Sequence, residues 1–272
     1  MSVLETTLLR LEERLAALRL DAHRIGDTLN VSHGQGPMAH KANIDPAELV
    51  ARLQGEPGGA HQRLIAGFAS GVLHVLLEPA RSKADAWTFV ESAGGITPNI
   101  EADTFILGAT AASGEAPWVR PFIDDLVVSY IVHLDRGLRV LSEPQAQHWA
   151  VSADRITAGA RSLLFHKTRA SKPTAHVGCR YVQALSHGDG YDAARALVFA
   201  DAFYTEIGDE CRFALPSQDL FLFVLHGGTD QVNELRLAAA QAYAAAEYPL
   251  SPRLFTFDLG KPVAAACDEF EQ

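Results

Sequence analysis

No uninterrupted apolar run in this 272-residue chain approaches the roughly 18 residues needed to cross a bilayer. The longest, such as Leu126 to Val132 and Leu220 to Leu225, are short and flanked by charge. Glu5, Arg10, Glu12, Glu13, Arg14 and Arg19 break up the first twenty positions, which denies them the apolar segment of a secretory signal, so a cytoplasmic protein is expected. Cysteine is scarce. Cys179, Cys211 and Cys267 are an odd number with no C-x-x-C pair, which supports neither a disulfide framework nor a zinc knuckle. Positive charge is also in deficit: 23 Lys and Arg against 33 Asp and Glu leave a net charge of −10, which repels nucleic acid and anionic membrane at long range. Lys167, Arg169 and Lys172, with Arg180 nearby, are the local exception, read first as a solvated connection. The histidines include His33, His40 and His74 but form no H-E-x-x-H and no pair at helical i, i+4 spacing, so they spell no metal motif.

What is present suffices for a core, since 48% hydrophobic and 21% charged residues is ordinary globular composition. Leu4, Leu8, Leu11, Leu15 and Leu18 recur at three- and four-residue steps and predict an opening helix with one leucine stripe. The stripe has fewer than three heptads and is expected to pack on its own domain. Extended pieces at Ala22 to Ile25, Thr28 to Ser32 and up to Ile44, parted by Gly26-Asp27 and a glycine-rich segment, predict a small antiparallel sheet. Asp45-Pro46 starts a helix that ends near Gly55, and Leu64, Phe68, Val72 and Val75 share a face of the next, from about His61 to Leu77. Strands are expected at Trp87 to Val90, Thr104 to Leu107, Leu126 to His133 and Leu138 to Leu141, then a helix from Ser152 to His166. The remainder alternates: a strand at Val177 to Leu185, a helix from Tyr191 to Glu206, strands at Cys211 to Leu215 and Leu220 to Leu225, an alanine-rich helix from Asp230 to Glu247, and strands at Leu254 to Phe257 and Val263 to Ala266. Because Leu220 to Leu225 is apolar throughout, it is expected at the centre of a sheet covered on both faces. The fold class is therefore α+β, a mixed but largely antiparallel sheet with packed helices. An N-terminal helix, hairpin and helix unit over residues 1–80 precedes an α+β core lobe over 81–272, the alternative being that the two make one domain.

The run Asp189-Gly190-Tyr191-Asp192-Ala193-Ala194-Arg195, followed by a strand ending in Leu215-Pro216-Ser217-Gln218-Asp219 and a second apolar strand, resembles the YtpQ-like family of bacterial proteins. Asp124-Asp125, the strand after it and the turn Asp135-Arg136-Gly137 extend the similarity upstream. The resemblance implies candidate positions and no reaction, since that family has no established activity. Where the family tends to carry a histidine between the proline and the glutamine, this chain has Ser217, which cannot serve as a base. After the acidic pair it runs directly into Leu126-Val127-Val128 in place of a polar string, so the carry-over stops at Asp124 and Asp125.

Three chemical readings follow from the residues. Gly188-Asp189-Gly190-Tyr191-Asp192-Ala193 fits G-x-G-x-x-A, yet Asp189 and Asp192 would set carboxylates beside a pyrophosphate. Local roles are the simpler expectation, with Asp189 capping a helix and Asp192 on its free amides. A sharper one joins Asp189, Asp192, Asp219 and the Gln218 amide around Mg²⁺ or Ca²⁺, which take oxygen ligands and could activate water against a phosphoester or acyl bond. Gly67-Phe68-Ala69-Ser70-Gly71 is no nucleophile elbow, its serine standing one place late inside an amphipathic helix. Cys179 and Cys211 are expected as buried small hydrophobes in strands. With no complete catalytic motif, the leading expectation is a ligand-binding or protein-interaction module without catalysis. The alternative is a divalent-metal-dependent hydrolase. The candidate site is Asp189, Tyr191, Asp192, Arg195, Gln218 and Asp219, with Asp124 and Asp125 secondary.

Overall fold

The computed structural model describes residues 2–34, 39–78, 88–89, 93–134, 137–203, 205, 207 and 210–265. The chain is α+β and divides into two compact units: residues 1–96, 101–120 and 129–156 form one, and 97–100, 121–128 and 157–272 the other. The boundary thus falls far from residue 80, because the helical segment after Ala102 packs with the N-terminal helices.

In the first unit, α1 (Val3–Ala17) starts at a capping box, with Ser2 Oγ accepting from the Glu5 amide and the Glu5 carboxylate accepting from the Ser2 amide. It buries Leu8, Leu11 and Leu15 as the leucine spacing predicts. An antiparallel meander follows, β1 (Asp21–Ile25), β2 (Thr28–His33) and β3 (His40–Ile44). Gly26, with φ of 61°, supplies the left-handed residue that the two-residue β1–β2 loop requires. His33 and His40 face each other across β2 and β3. Next come α2 (Ala47–Gln54), whose Ala47 amide donates to Asp45 Oδ1 at 2.9 Å, and α3 (His61–Leu76).

Two expectations need correcting here. Thr104 to Leu107 is the first turn of a helix, α4 (Thr104–Ser113), and not a strand. Its Thr104 hydroxyl donates to the Leu64 carbonyl at 2.7 Å, and α3 and α4 approach so closely that a Cβ on Gly108 would overlap the Phe68 carbonyl oxygen and one on Gly71 the Phe105 carbonyl oxygen. The Gly67 to Gly71 segment is therefore a helix-crossing surface. Sequence reading also missed β4 (Ile96–Ala102), buried at all seven positions, whose Thr97, Asn99 and Glu101 break the apolar pattern of an interior strand. The strand expected at Trp87 to Val90 lies mostly outside the described residues. Further along are β5 (Val119–Pro121), β6 (Leu126–Leu134), β7 (Gly137–Val140), α5 (Glu143–His148) and α6 (Ala153–Arg169). β6 and β7 form an antiparallel hairpin with Ile131 opposite Val140.

The second unit is built on a six-stranded antiparallel sheet in the order β13-β12-β10-β11-β9-β8, made of β8 (Thr174–Ala175), β9 (Gln183–Leu185), β10 (Arg212–Ser217), β11 (Leu220–Val224), β12 (Leu254–Asp258) and β13 (Lys261–Ala264). β11 lies inside the sheet with both faces covered, as its unbroken apolar run predicts. Leu222 and Val224 pack with Leu235, Ala238 and Ala239 of α8 (Thr229–Ala245). Phe221 and Phe223 point the other way, with ring centroids 4.7 and 4.8 Å from Phe199, and Phe213 lies 4.7 Å from Phe257.

Two elements differ from expectation. Val177 to Leu185 is strand only from Gln183, since residues 176–182 make a turned loop held by the Glu234 carboxylate, which accepts from the Arg180, Tyr181 and Val182 amides at 2.8, 2.7 and 3.3 Å. The helix expected from Tyr191 to Glu206 is a five-residue 3₁₀ turn, Ala193–Leu197, followed by the short α7 (Phe199–Ala202).

Candidate functional site

Sheet register brings the two halves of the predicted site together. β9 runs antiparallel to β11 with Leu185 opposite Phe221, so the segment leaving β9 emerges beside the β10–β11 turn that contains Gln218 and Asp219. The contact is direct: the Ala193 amide donates to the Gln218 carbonyl at 3.0 Å, and the Gly190 amide donates to the Asp219 carboxylate. Gln218 in turn donates its own amide to the Tyr248 carbonyl at 3.2 Å. Gly188 and Gly190, with φ of 65° and 77°, take the left-handed conformations that let the loop double back over this turn.

Asp192 is the centre of the cluster and has no exposed side-chain surface. Its Oδ1 accepts from His187 Nδ1 at 2.7 Å and from Arg195 Nε at 2.9 Å. Its Oδ2 accepts from the His187 and Gly188 amides at 2.6 and 3.3 Å. Four donors thus fill the roughly four lone-pair sites of a carboxylate. The Arg195 guanidinium, only 2% exposed, also donates through Nη2 to Asp189 Oδ2 at 2.6 Å, while Asp189 Oδ1 accepts from the Tyr191 amide at 3.1 Å. Arg195 Nη1 is enclosed with no acceptor among the described residues.

The local expectation is corrected in detail. Asp189 closes an Asx turn, and Asp192 satisfies amides of the loop before it, where a helix N-terminus was expected to use it. A G-x-G-x-x-A phosphate site fails for the same reason: the glycines serve the turn, the following 3₁₀ segment is a single turn, and the carboxylates take up the amides. Asp189, Asp192 and Asp219 share one corner, yet a guanidinium is the cation between the first two. Among the described residues, no three His, Cys, Asp or Glu side chains converge as metal ligands would.

Asp219 is exposed on its outer side, but partial burial of its carboxyl raises its pKa above the ordinary 3.8. The Asp192 charge adds to this, the Gly190 amide opposes it, and Asp189 and Glu247 add further. Tyr191 is buried, with Lys167 Nζ 5.7 Å from the centre of its ring. Arg169 donates to the Ala202 carbonyl at 3.0 Å and Arg180 stacks 5.0 Å from the Tyr181 ring, while Lys167, Arg169, Lys172 and Arg180 all remain exposed.

Asp124 takes no part in the cluster. Asp124 sits at a positive φ of 53° in the turn before β6 and pairs with Arg253 at 2.7 Å on the surface. Cys211 is buried and its thiol is pushed up to about 12 by burial, as expected of a small hydrophobe. Cys179 lies in the 176–182 loop, half-buried, and not in a strand; Cys267 falls outside the described residues.

His187 is the participant that sequence reading missed. Its only signal was its place next to the glycine-rich turn, which is indistinguishable from an exposed loop histidine until Asp192 is seen to hold Nδ1. Compared with protein-family models, curated proteins and solved structures, the chain gives no match.

Proposed function

We propose that the chain is a cytoplasmic binding module without catalysis, for a small molecule or a protein, in which the Asp189–Asp192–Arg195 cluster shapes a loop and performs no reaction. One observation carries this reading: Asp192, the most buried carboxylate of the candidate site, has its acceptor sites taken by donors of its own chain. A group so engaged cannot also accept a substrate proton or a metal ion without breaking the structure that positions it. The resemblance to the YtpQ-like family points the same way, resting on these residues and bringing no activity with it.

The alternative, a hydrolase using a divalent cation at Asp189, Asp192 and Asp219, draws support from the gathering of the three carboxylates and the raised pKa of Asp219. Melting curves in EDTA and in millimolar Mg²⁺, Ca²⁺ or Mn²⁺, beside release of nitrophenol from p-nitrophenyl phosphate and acetate, separate the two. The binding reading expects no cation-dependent shift and no turnover. A melting temperature raised by one cation, with turnover that Asp219→Asn abolishes, would overturn it.

A further inference from the structure

His33 and His40 stand seven positions apart, a spacing that marks no metal motif, yet the first unit's meander sets them directly opposite each other on β2 and β3. The strands stay together on both sides of this pair. Ser32 lies opposite Lys41 on one side, and on the other a Cβ on Gly34 would come 3.9 Å from the Ala39 Cα. Strand alternation puts both imidazoles on the core-facing side, in line with Leu29 and Val31 of β2 and with Ala42 and Ile44 of β3. Those four residues are buried, whereas the histidines, beyond the last β1–β2 pair at Asp21 and Ser32, are half-buried. Neither imidazole has a hydrogen bond, ion pair or ring contact with a described residue. Both rings are therefore free to turn toward an ion.

We propose that His33 and His40 together bind a borderline transition-metal ion, Zn²⁺, Ni²⁺ or Cu²⁺, clamped across β2 and β3. Directly opposed residues of an antiparallel pair have Cβ atoms about 4.5–5.5 Å apart. Two nitrogens that each lie about 2.0–2.1 Å from one tetrahedral ion are about 3.3 Å from each other, a separation that rings so rooted reach by rotating about χ1 and χ2. Neutral imidazole suits these ions, while Mg²⁺ and Ca²⁺ take oxygen. The net charge of −10 draws cations toward the chain, and Lys41, next to His40, projects from the opposite face of the sheet. No third His, Cys, Asp or Glu of the described residues joins the pair, so the remaining coordination positions fall to water or to a donor on an incoming molecule, and the ion is exchangeable. This goes beyond the binding reading above, since it concerns another unit and a ligand that reading does not assign.

Calorimetric and melting titrations of the full chain with ZnCl₂ and NiCl₂ test it, with MgCl₂ as the hard-cation control. Zinc or nickel is expected to bind and to raise the melting temperature, and magnesium to do neither. His33→Gln and His40→Gln, which keep size and polarity, are each expected to weaken the tightest binding about tenfold or more, because the remaining imidazole loses the ligand held beside it. The double variant should lose little more than either single one, since one ion needs both groups. His23→Gln, at an exposed position on β1, should leave affinity unchanged. A second measurement uses the wild-type protein alone: substoichiometric Cu²⁺ should broaden the ring-proton NMR signals of His33 and His40 together, before those of other histidines. Wild-type affinity in either single variant, additive losses in the double one, broadening that spares either ring, or no zinc or nickel binding at submillimolar concentration would each overturn the shared site.

Discussion

Replacing Asp192 by alanine removes four hydrogen-bond acceptor contacts at a site with no solvent exposure and leaves the Arg195 guanidinium, 2% exposed, with Asp189 as its one ion-pair partner among the described residues. Breaking a buried ion pair by deleting one partner costs about 3–5 kcal/mol, chiefly because the other charge remains buried. Asp189 is itself 33% exposed and keeps its contact to Nη2, so the lower end, about 3 kcal/mol, is expected. That is a large part of the roughly 5–15 kcal/mol that holds a domain folded. It corresponds to a fall of about 6–12 °C in melting temperature at about 2–4 °C per kcal/mol. Urea denaturation should show a lower midpoint with an unchanged slope. Arg195→Met, which keeps the volume without the charge, combined with Asp192→Ala should recover part of the loss, giving a coupling of about 1–3 kcal/mol in a double-mutant cycle. A single-mutant loss below about 1 kcal/mol, or strictly additive losses, would refute the view that this pair locks the loop.

Other consequences follow from the same contacts. Asp219 has a folded pKa above its unfolded 3.8, so folding favours its protonated form; that contribution is full below 3.8 and is lost as pH rises through the folded value. Asp219→Asn should therefore gain stability relative to wild type at neutral pH, with the gain vanishing in acid; urea midpoints across pH 3–7 that run parallel for the two proteins would contradict this. In a Cys267→Ser background, alkylation of the native protein at pH 8 should modify Cys179 slowly and Cys211 only on unfolding, because burial pushes the Cys211 thiol up to about 12; mass mapping of the alkylated sites reads the order. Gly108→Ala would stabilise an exposed helix by about 0.5–1 kcal/mol, yet here it should destabilise by about 1–3 kcal/mol or more, since the new Cβ meets the Phe68 carbonyl of a neighbouring helix; a raised denaturation midpoint would sink the close-crossing argument.

Local pattern alone was enough for the amphipathic and wholly apolar elements. The leucine spacing of α1, the turn at Gly26-Asp27, the alanine-rich α8 and the central place of β11 all follow from periodicity and from burying an apolar face. These signals lie within one element, so they survive whatever the rest of the chain does. Tertiary packing decided the others. Thr104 to Leu107 has the β-branched and aromatic character of a strand, but the glycine surface of α3 accepts a helix at close range and makes the helix the better-packed state. The candidate site divides in the same way. Asp189, Asp192, Gln218 and Asp219 were legible as candidates, since Gly-Tyr-Asp and Pro-x-Gln-Asp stand out in the chain. Their roles were not, because an aspartate reads the same as a cap, a metal ligand or a lock. The β9–β11 register brings the two segments together, and Arg195 and His187 then use up the Asp192 oxygens. Which donors a carboxylate meets depends on chain segments separated in sequence, and only the folded sheet sets that pairing.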